Sequence, residues 1–389
     1  MQPKKIAVYS GTIPSTTFIE RMIEGLASNG FKVSLFGLQL KKGSYPKNVT
    51  VHSYSNQFNK LCILFKYTLL LTLFKASDKK KIDVIIAKKS NNKTLHKIKY
   101  YPVLYHKPDV FHLQWAKSLE DWIWLQEFGV KVILSLRGTH ITISPIANEI
   151  LASKYKQLFP KVNGFHAVSN SISSEALQYG ANPAKTKVIY SGLNSKKMPF
   201  KINTNESKSL KILSIGRTHW VKGYTYALEA CSLLKRDNFD FQYTIIGADK
   251  DEELLFQRGQ LELENQVVFE KSIPFENIIN KIHQADILLL SSVEEGIANV
   301  VLEAMALGTL VISTNCGGMD EVLTDGQNGF LVPIRDSKTI ADKIKQVASL
   351  SESEKQQIKI NARKTIENQH DFDSKIHEMS ALYETVLEN

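Results

Sequence analysis

Two groups of residues in the C-terminal half have the types and spacings to hold a phosphorylated sugar. The apolar run Leu210–Ile215 is followed by Gly216-Arg217 and, five positions beyond Arg217, by Lys222-Gly223 at the start of a helical pattern. Glycine lets the backbone approach a ligand closely, and an Arg fork and a Lys point charge can reach one polyanion together. A diphosphate is the natural guest, although Arg and Lys at a strand end are often just solvated. The second group runs from Ser291 through Glu295, Gly296, Ile297, Ala298, Asn299 and Val300 into a helix that carries Glu303. Backbone N–H groups near Asn299 and Val300 would be the unpaired donors of that helix, a setting that favours phosphate. Glu303, about one turn inside, can accept from a ribose diol, and Glu295, ahead of the helix, can reach toward a sugar. The two carboxylates thus suit the two carbohydrate ends of a nucleotide-sugar. The competing reading makes Glu295 a cap and Glu303 a surface residue.

These residues need strands to carry them, and the apolar runs supply a pattern. Residues 5–9, a helical stretch stopping at Asn29-Gly30, and residues 33–36 read as β-loop-α-β, the opening of a doubly wound parallel sheet. Similar short runs recur at 83–87, 110–113, 132–136, 164–168 and 187–190, so the first domain is α/β. Residues 198–209 are polar and aperiodic and read as a linker. The pattern restarts at 210–215, 243–246, 266–269, 287–290 and 310–313. The expected organisation is two Rossmann-like doubly wound domains facing across a cleft. The first spans 1–200, the second 201–372, and a terminal helix, 373–389, packs back on the first. In such sheets ligands bind beyond the carboxyl ends of the strands, where both groups of residues fall.

At 389 residues, 43% hydrophobic and 23% charged, the chain can bury two cores and lacks the composition of disorder. The cysteines Cys62, Cys231 and Cys316 are too dispersed for a zinc knuckle or redox pair and fit a reducing compartment. The short apolar stretch 6–9, followed by Gly11, does not read as a signal-peptide core, so a cytoplasmic setting is expected. Residues 61–74, LCILFKYTLLLTLF, are interrupted by Lys66 and shorter than the ~20 residues of a membrane helix. They read as a buried or half-buried helix, or as one that dips a face into a bilayer surface. Residues 1–200 carry 29 Lys and Arg against 10 Asp and Glu, whereas 201–389 carry 20 against 29. A basic first half beside an acidic second fits a first domain facing an anionic membrane or polyanionic acceptor, or simply solvated lysines.

The segment EEGIANVVLEAMALGTLVISTNCGGMDEVLTDGQNGFLVP, with Glu295 and Glu303 eight positions apart, resembles the signature of family 4 of the retaining glycosyltransferases, the glycogen-synthase-like group 1 enzymes of GT-B fold. Gly216-Arg217, Lys222-Gly223, Val168-Ser169, 188–192 and Gly317-Gly318 to Glu321 fall in the family's order, so the likeness covers most of the chain. The resemblance implies that Arg217 and Lys222 bind the donor diphosphate and stabilise the leaving group. It places the ribose on Glu303 and the transferred sugar on Glu295, with Gly216, Ile297, Ala298, Asn299 and Val300 completing the donor site. It implies no cofactor and no metal, only an NDP-sugar co-substrate, UDP- or GDP-linked. In the first half, the loop Gly11-Thr12-Ile13-Pro14-Ser15-Thr16-Thr17-Phe18 is similar to the family's first loop in its proline-serine variant, which approaches donor phosphate and acceptor. Gly11 is thereby a donor contact and Ser15 and Thr16 acceptor-side residues. Asp109-Val110-Phe111-His112 is similar to the family's strand ending in histidine and puts His112 on the acceptor side. One departure stands out: where many members have His-Gly, this chain has Arg137-Gly138 followed by Thr139-His140. Arg137 would suit an acidic sugar, a phosphate or an acceptor anion, and either it or His140 takes the histidine's catalytic place.

The activity implied is retaining transfer to a polysaccharide, glycan or lipid-linked acceptor in cell-surface polysaccharide biosynthesis, at the cytoplasmic face of the membrane. The competing functions are a nucleotide-sugar epimerase and a non-enzymatic polyanion binder, the latter without a recognisable nucleic-acid motif. Asp249-Lys250-Asp251 has the spacing of metal-dependent transferases but continues as Glu252-Glu253 into a helix, where acidic residues complement the dipole. Trp115, Trp122 and Trp124 fit core packing better than an acceptor groove.

Overall fold

The structure, a computed structural model, describes residues 4–89, 92–201 and 209–388. Contacts divide the chain into two units: Met1–Val168 with Ile172–Ile189 and Asp373–Asn389, and Ser169–Ser171 with Tyr190–Phe372. The first contains β1 (Lys5–Ile13), β2 (Lys32–Gln39), β3 (Val49–Tyr54), β4 (Val110–Leu113), β5 (Lys131–Leu136), β6 (Gly164–Ala167) and β7 (Thr186–Val188). They form one parallel sheet in the order β3-β2-β1-β4-β5-β6-β7. The second contains β8 (Leu210–Ile215), β9 (Phe241–Ile246), β10 (Val267–Glu270), β11 (Ile287–Leu290), β12 (Leu310–Thr314) and β13 (Phe330–Val332), in the order β10-β9-β8-β11-β12-β13. Both sheets are Rossmann-like. Val110–Leu113 and Ile287–Leu290 are buried at every position, because helices cover both faces of a parallel sheet.

The strand order reverses between β1 and β4 in the first sheet and between β8 and β11 in the second. At such a switch point the two flanking connections leave in opposite directions and open a crevice at the carboxyl ends. Arg217 leaves β8 and Glu295 follows β11, so the candidate residues flank the second crevice.

Three sequence expectations change. Residues 83–87 are not a strand but part of a helix. The first unit's helices α1 (Thr17–Ser28), α2 (Gln57–Phe74), α3 (Ala76–Lys88) and α4 (Lys93–His106) include them in α3, where Ile82 and Ile86 are buried one turn apart. The β-branched run there is one helical face read as a strand. The unit boundary falls at 189/190, not at 200. Arg363 explains this: its guanidinium donates to the carbonyls of Ser195, Met198 and Ala306 at 2.9, 2.8 and 2.7 Å, tying 195–198 to the second unit. The expected linker, 198–209, lies at 202–208 outside the described residues, and Met198 is buried in a core cluster. Finally, β1 runs on to Ile13 through a register irregularity between Val8 and Gly11, so Gly11 belongs to the strand, at φ 90°. The terminal helix, Phe372–Glu388, contributes Tyr383 to the first unit's interior.

That interior holds buried histidines. His112 is wholly buried, its Nδ1 2.8 Å from the Tyr383 hydroxyl and its Nε2 2.9 Å from Ser135 Oγ, which lies 2.9 Å from His166 Nδ1. Burial holds the pKa of His112 well below its ordinary value and that of His166 down to about 3, with His166 and Arg137 adding repulsion. Both are neutral in the folded chain, while the unfolded chain takes up protons below about pH 6.5, so stability falls as pH drops from 6.5. Thermal unfolding followed by circular dichroism should show a Tm roughly 5 °C or more lower at pH 5 than at pH 7. His166→Gln should flatten that slope, and an unchanged slope would show that the pair carries no linked protons.

Candidate active site

The second crevice is assembled by backbone contacts that only glycine permits. Gly223 sits in the left-handed region, at φ 60°, and a Cβ there would lie 2.1 Å from the Ser291 carbonyl oxygen. The missing side chain lets the turn ahead of the helix Tyr224–Arg236 rest on the segment after β11. Val293 N–H donates to the Val221 carbonyl at 2.7 Å and Ser291 Oγ to that of Lys222 at 2.9 Å. On the other side, Gly317 adopts φ 54° with its Cβ direction filled by the Glu295 carbonyl, and Gly318 N–H donates to the Gly296 carbonyl at 3.0 Å. The loop 294–296 is clamped between these two glycine contacts.

The clamp brings Lys222 Nζ 2.5 Å from Glu295 Oε1, which also accepts from Ser292 Oγ at 2.9 Å. Both side chains are mostly buried, 22% and 16% exposed, so water screens the pair weakly. Arg217 is exposed at the end of the neighbouring strand and has no hydrogen bond or ion pair among the described residues. Gly216 precedes it, its N–H held by the Ile246 carbonyl at 3.0 Å. The helix Asn299–Leu307 starts at Ala298 without a side-chain cap, and no acidic residue occupies its first turn. Ile297 and Val300 are half-buried beside it, and Asn299 Oδ1 is buried with no hydrogen-bond partner. Glu303 is 8% exposed, so the surface reading fails. The crevice therefore offers one free cation, one shared cation and an uncapped helix N-terminus, a set that attracts an oxyanion.

The first unit collects a different group. Arg137, just beyond β5, donates from Nη2 to Gln114 Oε1 at 3.0 Å and lies with its guanidinium carbon 4.7 Å from the Phe18 ring centroid. Trp115 meets Phe18 edge-on at 6.4 Å and stacks on His140 at 5.1 Å. Among the described residues no carboxylate pairs with Arg137, its Nε is buried without a partner, and burial pulls its pKa below the ordinary arginine value. Arg137 and His140 are thus brought together, with Phe18, the last residue of the first-loop motif, and Gln114, which motif reading missed although it directly follows β4. Ser15 N–H is held by Glu20 Oε1 at 2.5 Å and Thr16 opens α1, exposed. His112 is corrected: both ring nitrogens are engaged inside the core, so it offers no face to an acceptor. Trp122 and Trp124 are core residues, whereas Trp115 belongs to the aromatic group. Asp251 caps its helix, accepting from Leu254 N–H at 3.0 Å.

With that geometry in hand, residues 195–365 match the family model for Glycosyl transferases group 1, the stretch that contains the crevice. WcaL of Escherichia coli, whose name assigns it provisionally to colanic acid biosynthesis, is 28% identical over 262 residues, 65% of this chain and 64% of that protein. The amylovoran biosynthesis glycosyltransferase AmsK of Erwinia amylovora is 29% identical over 220 residues, 53% of this chain and 54% of that one. The chain thus spans between half and two thirds of the length of these relatives. The crystal structure of HepE from Anabaena in complex with UDP and glucose superposes with a TM-score of 0.72 at 18% identity, covering 98% of this chain and all of that one. The two-sheet architecture is that of the GT-B glycosyltransferases, and the similar sequences are glycosyltransferases named for polysaccharide biosynthesis.

Lys222 already has a counter-charge, so a diphosphate entering the crevice would have to compete with Glu295 for it. Calorimetry with UDP and GDP should find Lys222→Ala weaker by roughly tenfold or more, and Glu295→Gln as tight or severalfold tighter. Weaker binding by Glu295→Gln would show that the carboxylate faces the nucleotide and not the lysine.

Proposed function

We propose that this protein is a retaining glycosyltransferase that moves a sugar from a UDP- or GDP-sugar to a polysaccharide, glycan or lipid-linked acceptor in cell-surface polysaccharide biosynthesis. The observation that carries the reading is the Lys222–Glu295 pair set between Arg217 and the uncapped helix N-terminus at the second switch point. When the glycosidic bond breaks, negative charge builds on the departing diphosphate. Fixed cations and N–H dipoles already aimed there lower the barrier without reorganising and without a metal ion. Arg217 is the diphosphate's free partner, Lys222 its shared one. Glu295 positions the transferred sugar and returns Lys222 to its resting pair after release. Glu303 holds the ribose. Gly11 and Gly216 allow close approach of the donor.

Arg137 and His140 form a polar group with an aromatic wall that suits a sugar ring bearing an anion, since an arginine without a carboxylate gains most from a negative ligand. Ser15 and Thr16 stand on the acceptor side of the same unit. A uridine donor is the first choice to test, because HepE holds UDP and glucose on this fold. The cytoplasmic membrane face, where lipid-linked acceptors are met, is the proposed setting.

Incubation with a panel of UDP- and GDP-sugars and a lipid-linked or polysaccharide acceptor should release nucleoside diphosphate only when acceptor is present, which separates transfer from epimerisation. Arg217→Ala should lower turnover roughly 100-fold or more. Absence of both turnover and donor binding across the whole panel would overturn the proposal, and an unaffected Arg217→Ala would remove that residue from the diphosphate.

A further inference from the structure

The helix α2 is apolar on two opposite faces. One packs inward: Tyr67 and Leu71 are buried, with Ile63 and Leu70 against the first unit's core. The other carries Phe58, Leu61, Phe65, Leu69 and Leu73, spaced three to four apart and so aligned in one stripe along the helix. That stripe lies in solvent, Phe58 and Phe65 being 77% and 74% exposed. Phe74, at the end of α2, and Val84, on α3, extend the exposed apolar area. An open groove lined by Thr72, Ala76, Lys79, Lys80, Val84 and Ala87, beside the Asp83 carboxylate that Lys79 pairs with, continues it. A helix that only closed a core would be polar on its outer face. Contiguous apolar surface of this kind on one helix marks an interaction site.

The charge around the stripe selects the partner. α2 has two lysines, Lys60 and Lys66, and no acidic residue; α2 and α3 together hold six lysines against two aspartates, and both aspartates lie on α3. Lys66, Lys80, Lys81 and Lys88 are exposed. A second copy apposed through the same face would set these lysines against one another. A bilayer surface rich in anionic lipid answers both features, taking aromatic and leucine side chains into its acyl boundary while the ammonium groups meet the headgroups. Among the described residues no helix is long and apolar enough to cross a membrane, so the contact is lateral. We infer that the outer face of α2, framed by the lysines of α2 and α3, docks the protein in the plane of an anionic membrane surface. This goes beyond the sugar-transfer reading and does not rest on it, since docking needs no donor.

Cosedimentation of the full chain with vesicles tests it in the absence of any nucleotide-sugar. Vesicles containing phosphatidylglycerol should bind the protein, and pure phosphatidylcholine vesicles should bind it at least about tenfold less. The double variant F65E/L69E should lose about tenfold or more of the binding while keeping its circular dichroism spectrum and its affinity for UDP. Lys80→Glu with Lys81→Glu, which leaves the stripe intact, should weaken binding to the anionic vesicles alone. Two results would overturn the inference: binding to anionic vesicles unchanged in F65E/L69E, or no vesicle binding together with a wild-type dimer in analytical ultracentrifugation that F65E/L69E abolishes, which would make the occupant a second copy.

Discussion

The candidate site depends on backbone passing where a side chain would not fit. Gly223 against the Ser291 carbonyl, and Gly317 with Gly318 against Glu295 and Gly296, close the crevice between β8 and β11 tightly enough for Lys222 and Glu295 to meet. The Cβ positions at Gly223 and Gly317 are doubly forbidden, by occupied space and by positive φ, so any other residue would open the loop and part the pair. The ion pair is the consequence of that close approach. Its strength comes from burial, which removes the water that would screen it, and from Ser292, which supplies Glu295 with a second donor.

The two units solve the same topological problem with opposite electrostatics. Each reverses its strand order once and gathers polar side chains just past strand ends at that place. In the second unit the half-buried Lys222 is neutralised by a carboxylate, and the exposed Arg217 follows the neighbouring strand. In the first, the half-buried Arg137 is flanked by Phe18 and Gln114 with no carboxylate paired to it among the described residues, so its positive charge is weakly screened. A cation in that state is costly unless something negative reaches it. The first unit's core next to it is also polar, with His112, Ser135 and His166 linked in a chain that keeps both rings neutral.

Much of this was legible from local pattern. Short, mostly apolar runs punctuated by glycine announced parallel sheets, and the charged candidate residues lay at the strand ends. Where reading failed, the cause was long-range. Residues 83–87 are β-branched enough to pass for a strand, and only packing of Ile82 and Ile86 on one face makes them helical. The polar stretch near 198 resembles a linker until Arg363, far along the chain, binds its carbonyls. His112 ends a strand like a ligand-facing residue, but Tyr383, 271 positions away, takes its Nδ1.

The sequence by itself determined the class of fold, the strands that carry the candidate site and the nomination of Arg217, Lys222, Glu295 and Glu303 as its residues, because periodicity and strand-end chemistry are local properties. The tertiary structure decided who pairs with whom. It set Lys222 on Glu295, placed Arg137 beside Phe18 and Gln114, withdrew His112 into the core and left one face of α2 in solvent. Each of those outcomes is a contact, or the lack of one, between segments far apart in the chain, and a side chain's charge, exposure and free valence are settled only when those segments meet.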